Sequence, residues 1–499
     1  MTAALHLRGM AAARLGRKQQ AIDDLARVWA VQPQNGQAAL GLGTLLRECE
    51  RYEDAIAPLR AASRLEPFET EARYGLARAL TRLRRNEEAM REYEAVLRRD
   101  QQHAEAAANL AFLLERANRL DAAEQHADTA LALQPANFMA GLTKATIERR
   151  RGSAEVARSR LEALLAGNPG ALNRSIVLNQ LGQVLDQQQE WLAAFDRYRE
   201  SNEVLRQQHP FGRPEDGGSY GLKTIARIGT WLAAHPPSEW SENTQQSPSD
   251  PVFLVGFPRS GTTLLDQALS AHPDVEVIEE FELFDGVRRD FVDSGKLDRL
   301  ASLNSGQIEA ARNVYLEALK ARRKSPGKRV VVDKLPLNLV YLFLVHRLFP
   351  RSRIVFLVRD PRDACLSCFF QVFDLQGAMP YFLDLHDTVG YYRASLGLAT
   401  QCFKVISNPV HEVRYERLVI DFEARMRSLV GFLGLDWKSA VLDYRSAARD
   451  RVIYTPSYQQ VVEPLHTASI GRWRRYRERV EPAFVPLGPW VEYLGYAAN

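Results

Sequence analysis

Along the first two hundred residues, apolar side chains return every three or four positions. Stretches such as AIDDLARVWAV and AIAPLRAASRL carry this spacing, which predicts amphipathic helices. A longer period of 34 residues lies over it. Ala21 is followed at that step by Ala55, Ala89, Ala123 and Ala157, and Gly9 by Gly43, Ala77, Ala111 and Ala145. A third phase runs Pro33, Pro67, Gln101, Pro135 and Pro169. Small residues are needed where two helices cross closely, because larger side chains push the axes apart. Proline suits the start of the next helix, where its missing N–H costs nothing. After His209 the pattern stops in PFGRPEDGGSYG, which is rich in helix breakers. A short helical piece, LKTIARIGTWLAAH, and a polar, proline-rich connection, PPSEWSENTQQSPSDP, follow. Beyond them VFLVGF, RVVVDK, RIVFLVR and VHEVRYE read as short strands separated by helical stretches. Buried strands alternating with helices predict an α/β domain with a mainly parallel sheet.

Composition agrees with two different halves. Alanine fills 40 of the first 200 residues and 22 of the rest. The net charge of +4, from 65 basic and 61 acidic residues, argues against a global nucleic-acid or membrane-surface binder, so any anion site must be local. Four cysteines are too few for a disulfide framework. Cys365 and Cys368 form a CxxC at an apolar helix start, which reads as buried, reduced packing rather than a redox or metal pair. The N-terminal residues lack the apolar core of a secretory signal, and no run of about 18 apolar residues predicts a membrane span. A cytoplasmic, reducing setting is the expectation, with no membrane partner.

The 34-residue unit, with its small residues and its proline, resembles the tetratricopeptide repeat. The resemblance implies an α-solenoid over residues 1–209, closed by a longer helix pair near Leu178–Leu205, and then a connector over 210–250. Stacked repeats leave a concave face. That face serves either as a binding surface for a peptide or partner protein or as a packing or homodimerisation scaffold, and the sequence leaves both open.

The strongest chemical signal is VFLVGFPRSGTTLLDQAL, residues 252–269. A buried strand enters Gly256-x4-Gly261 and then a helix, the layout of a phosphate-binding loop. Backbone amides at a helix N-terminus cradle an anion, and the hydroxyls of Thr262 and Thr263 stand at the same point. A nucleotide triphosphatase would carry lysine after the second glycine. Here Thr262 stands there, and the basic residue, Arg259, lies inside the loop. Strand, PRSGTT and helix together resemble the 5′-phosphosulfate loop of sulfotransferases, which implies 3′-phosphoadenosine-5′-phosphosulfate (PAPS) as donor. Arg259, Ser260, Gly261, Thr262 and Thr263 would hold its 5′ end. The 3′-phosphate requires a second anion site. Arg359 at the end of a strand, with Ser367 eight residues on, resembles the family's motif for it.

Within this family, LSAHPDVEVIEE resembles the tyrosylprotein sulfotransferases, where the second glutamate of the pair is the catalytic base. That implies Glu280 as base; without the resemblance Glu276, Glu279, Glu280 and Glu282 are equal candidates. It also implies Lys334 and Ser457 as catalytic residues, and Tyr415 and Arg472 as cofactor contacts. The domain is expected over 251–499, an α/β phosphate-loop-like sulfotransferase fold without a metal. Phe281 and Glu282 depart from the family's Thr-Arg, and a negative Glu282 would repel an acidic peptide. Val277 stands where the family has a disulfide cysteine, and no membrane anchor is expected. The acceptor is therefore a hydroxyl on a peptide tyrosine, a glycan or a small metabolite. Of the arginines 472, 474, 475, 477 and 479, only Arg472 is expected to reach the cofactor, the others lining a solvated helix face rather than a nucleic-acid site. The alternative function is a repeat scaffold whose second domain binds nucleotide without turnover; a phosphate-loop kinase is disfavoured by Thr262.

Overall fold

In the computed structural model the described residues are 2–208, 218–240, 250–445 and 465–497. They fall into two compact units, divided after Gly167.

The first unit consists of ten helices, from Thr2–Arg14 to Ala154–Ala166, each packed on its neighbours in the chain. The three phases of the 34-residue period each have a place. Ala21, Ala55, Ala89, Ala123 and Ala157 have no exposed surface at all. A Cβ on Gly43 would lie 2.5 Å from Leu59 Cγ, so the crossing there admits glycine alone. Pro33, Pro67, Pro135 and Pro169 fall in the turns between one helix pair and the next. A fourth phase was not read from the sequence. Gly16, Glu50, Arg84, Asn118 and Gly152, again 34 apart, take left-handed backbone with φ between 58° and 84° at the turn inside each pair.

The second unit begins with two longer helices, Ala171–Gln187 and Trp191–Gln208. These are the pair read as closing the repeat array, and they pack within this unit. Asn179 Nδ2 donates to the Phe370 carbonyl (2.9 Å) and Asn202 Nδ2 to the Phe369 carbonyl (2.8 Å). Those carbonyls end the helix Pro361–Phe369, where the last C=O groups have no partner within the helix. Tyr198 stacks on Phe370 with centroids 4.0 Å apart, and Phe195 on Phe369 at 5.5 Å. The connector's helix, Leu222–Ala234, buries Ile225, Ile228, Trp231 and Leu232, so this part of it is core. Of the polar connection, residues 241–249 lie outside the described ones.

The sheet consists of β1 (Val252–Gly256), β2 (Val275–Glu279), β3 (Val330–Lys334), β4 (Ile354–Val358) and β5 (Val410–Arg414). All pairings are parallel, in the order β2-β3-β1-β4-β5. β1 and β4 are buried throughout, as their unbroken apolar runs predict. β2 was not among the predicted strands. Its sequence, VEVIE, carries two glutamates, a residue type depleted in strands, and it stands at the sheet's edge. Strand order reverses at β1, between β3 and β4. Ligands in open α/β sheets bind at the carboxyl ends beside such a reversal.

Candidate active site

The loop after β1 is shaped by two close approaches. A Cβ on Gly256 would lie 2.6 Å from the Leu357 carbonyl oxygen of β4, and one on Gly261 would lie 2.4 Å from Tyr415 Cδ2. Gly261 also has φ +103°, a conformation glycine takes without strain. It caps the helix Thr262–Ser270, whose first amides have no intrahelical acceptor. Arg259 lies between the glycines with φ +67°, a left-handed conformation costly for a side-chain-bearing residue. Ser260, Thr262 and Thr263 are buried.

Three arginines gather around this loop. Arg259 Nε donates to Ser367 Oγ (3.1 Å). Arg359, at the end of β4, donates to the carbonyls of Arg259 (2.8 Å) and Ser469 (2.7 Å), and its guanidinium lies 4.6 Å from the Tyr415 ring centroid. Arg472 joins Arg359, Ser367, Ser469, Asp363 and Leu366 in lining one pocket. Enclosure, with the like charges of Arg359 and Arg472, pushes the Arg259 pKa down to about 10. Asp363 lines the same pocket and feels the charge of Arg359, one carboxyl group against three arginines. Its oxygens accept from the backbone amides of Gly471 (2.6 Å) and Trp473 (2.9 Å). Concentrated positive charge beside a loop of this shape fits a ligand with two anionic groups.

The second cluster stands at the ends of β2 and β3. Lys334, the last residue of β3, is fully buried. Its Nζ lies 2.9 Å from Glu280 Oε1, 3.4 Å from Glu279 Oε1 and 3.5 Å from Asp266 Oδ2. The parallel register sets Glu279 against Lys334, and the Glu280 amide donates to the Lys334 carbonyl (2.8 Å). Glu280 itself takes φ +56°, turning the chain out of the strand. Burial works against the Lys334 charge, but the three carboxylates outweigh it and raise its pKa. Asp266 is driven the other way. Burial and Glu279 lift its carboxyl to about 7 against the pull of Lys334.

The residues expected at the site thus group as follows. Arg259, Ser260, Gly261, Thr262 and Thr263 form the loop; Arg359, Ser367, Tyr415 and Arg472 surround its arginine; Glu280 and Lys334 touch each other. Ser457 lies outside the described residues. Asp266 was missed, and the signal was an acid inside the apolar run TTLLDQAL, four residues after Thr262. Asp186, paired to Arg472 at 2.5 Å, was missed because the two lie 286 residues apart in sequence.

Cys365 and Cys368 are buried free thiols, and burial raises both pKa values. Arg474, Arg475, Arg477 and Arg479 are exposed; Arg477 pairs with Glu481 and Arg479 with Asp196. Among the described residues no group of three or more His, Cys, Asp or Glu is placed to hold a metal ion, and no helix is long and apolar enough to cross a membrane.

Comparison with known proteins agrees with both halves. The sulfotransferase family model matches residues 251–439, and two tetratricopeptide repeat models match residues 6–69 and 46–105. Protein-tyrosine sulfotransferase 2 of Gallus gallus is 28% identical over 267 residues, 49% of this chain and 69% of that protein. Protein-tyrosine sulfotransferase 1 of Danio rerio is 26% identical, covering 49% and 72%. An uncharacterized protein of Aquifex aeolicus is 28% identical over 46% of this chain, and the match spans about a third (31%) of its length. Among solved structures, the sulfotransferase domain of the Synechococcus PCC 7002 olefin synthase aligns with TM-score 0.33 and 22% identity, covering 47% of this chain and 90% of that one. The chain joins tetratricopeptide repeats to a sulfotransferase-family domain that is similar to protein-tyrosine sulfotransferases.

Proposed function

We propose that the protein transfers a sulfuryl group from PAPS to a hydroxyl acceptor. The observation that carries this reading is the convergence of Arg259, Arg359 and Arg472 on a loop without lysine, next to the Glu280–Lys334 contact of 2.9 Å. The residues fit a donor with anions at both ends. The loop, with Arg259, would hold the 5′-phosphosulfate, and Arg359, Ser367 and Arg472 the 3′-phosphate. In the transfer the acceptor oxygen bonds to sulfur as the bridging sulfur–oxygen bond to the 5′-phosphate breaks. Glu280 takes the acceptor's proton, and Lys334 meets the charge that develops on the bridging oxygen. Ser457 is assigned with them by resemblance. Positioning and electrostatics supply most of the acceleration in such in-line transfers.

The acceptor side supports a substrate that is not strongly acidic. Glu282 pairs with Arg288, which is shared with Asp285 and Asp293; even with Arg289 on Asp285 this ion-pair group is net negative, and Arg322 lies apart from it over the Phe281 ring (4.4 Å). The repeats supply a surface for a protein or peptide partner. Adenosine 3′,5′-bisphosphate is expected to raise the melting temperature, and ATP to leave it unchanged; stabilisation by ATP alone refutes the donor assignment. Labelled sulfate from PAPS is expected to enter an acceptor pool with the wild type. Glu280→Ala should lower that rate by ~10²–10⁴, and an unchanged rate removes Glu280 as base.

A further inference from the structure

We propose that Asp186, on the helix Ala171–Gln187, is a positioning residue for the donor site: it holds the Arg472 guanidinium at the pocket shared with Arg359 and Ser367. The inference rests on the reading of that pocket as the 3′-phosphate site.

Arg472 follows Gly471, which is left-handed, and a long side chain leaving such a turn has many rotamers open to it. Three contacts select one. Asp186 Oδ2 lies 2.5 Å from Nη2, and the guanidinium carbon lies 5.2 Å from the Phe370 ring centroid and 5.9 Å from that of Tyr476. The carboxylate is itself fixed, since its other oxygen accepts from the Tyr476 hydroxyl. Asp186 does not line the pocket, whereas Arg472 does. The carboxylate therefore stands behind the guanidinium and occupies one of its five N–H donors, leaving others for an anion. Asp363, the acid that does line the pocket, is engaged by two backbone amides instead.

The helix's own needs do not explain an aspartate here. Asp186 is the penultimate residue of its helix, at the negative end of the dipole, where a carboxylate is disfavoured. Its rewards are Arg472 and Tyr476. The same helix pair holds the end of the helix that carries Ser367, through Asn179 and Asn202. Two of the three polar side chains assigned to the 3′-phosphate are thus steadied by residues that precede the sheet by more than forty positions.

The test compares adenosine 3′,5′-bisphosphate with adenosine 5′-monophosphate by calorimetry on the full chain. Wild type is expected to prefer the bisphosphate. Asp186→Ala should weaken the bisphosphate about tenfold, the value of one charge-assisted hydrogen bond, and leave the monophosphate within about twofold. Asp186→Asn keeps an acceptor oxygen in place and should recover most of the loss. If the alanine variant does not fold, Asp186→Ser, whose hydroxyl is too short to reach the guanidinium, is expected to behave as alanine should. An undiminished preference in the alanine or serine variant overturns the inference, and so does an equal loss for both nucleotides, which would mark general loosening. A wild type that binds the two nucleotides alike overturns the donor-site reading first, and this inference with it.

Discussion

At the scale of single residues, the cluster around Lys334 holds one cation and three carboxyl groups, with Lys334 and Asp266 buried and Glu279 and Glu280 partly open to solvent. A site cannot keep two uncompensated negative charges at low dielectric, so one carboxyl gives up its charge. Asp266 is the most deeply buried of the three and is lifted to about 7 by burial and Glu279. In the unfolded chain an aspartate releases its proton near pH 4. Between those values the folded protein holds a proton that the unfolded chain does not, so stability falls as pH rises through that window toward 7. Asp266→Asn keeps the shape and cannot ionise. Wild type and variant should melt nearly alike near pH 4, while near pH 8.5 the variant should melt a few degrees higher. Thermal unfolding at the two pH values reads this directly, and a difference independent of pH would show that Asp266 is ionised throughout.

At the scale of elements, the repeat turns carry a cost that the sequence partly concealed. Five turns require left-handed backbone at the same phase, yet glycine fills only the first and last. Glu50 is exposed there with φ 58°, and the conformation costs a side-chain-bearing residue roughly 1–2 kcal/mol. Glu50→Gly relieves this and gives back part of it as unfolded-chain entropy. The net expectation is a gain of about 0.5–1 kcal/mol, measured as a rise in the denaturant midpoint of the helical signal; a fall would mean that Glu50 has an energetic role beyond its backbone. The helices and their crossings were legible because burial writes small residues at a fixed period. This turn was not, because Glu50, Arg84 and Asn118 share no chemistry, only a φ. β2 escaped for a related reason. Glu279 reaches Lys334 and Glu276 pairs with Arg323, so the strand lacks the apolar signature of β1 and β4. The loop, and the gathering of Arg359 and Ser367 at it, were legible because close approach and charge demand particular residue types at fixed spacing.

At the scale of the whole molecule, the repeat period continues in sequence up to Pro169, but the fold divides at Gly167. The helices after that point lengthen from 11–14 residues to 17 and 18, and their faces change from alanine to Asn179, Asp186, Phe195, Tyr198 and Asn202. These side chains are spent on the domain that follows: two cap helix carbonyls, one pairs with Arg472, and two stack on Phe369 and Phe370. Removing the pair would leave those carbonyls unpaired and the apolar surface of both phenylalanines in water, a loss of several kcal/mol by the usual values for unsatisfied groups and buried aromatics. That compares with a total stability of about 5–15 kcal/mol for a typical domain. A fragment of residues 168–499 should therefore fold and bind adenosine 3′,5′-bisphosphate as is expected of the full chain. A fragment starting at 209 should aggregate, or melt far lower and lose the bisphosphate. Size-exclusion chromatography, thermal unfolding and calorimetry on the two fragments measure this. Equal behaviour of both would make the helix pair a tether, whereas the contacts it makes are those of a structural part of the second unit.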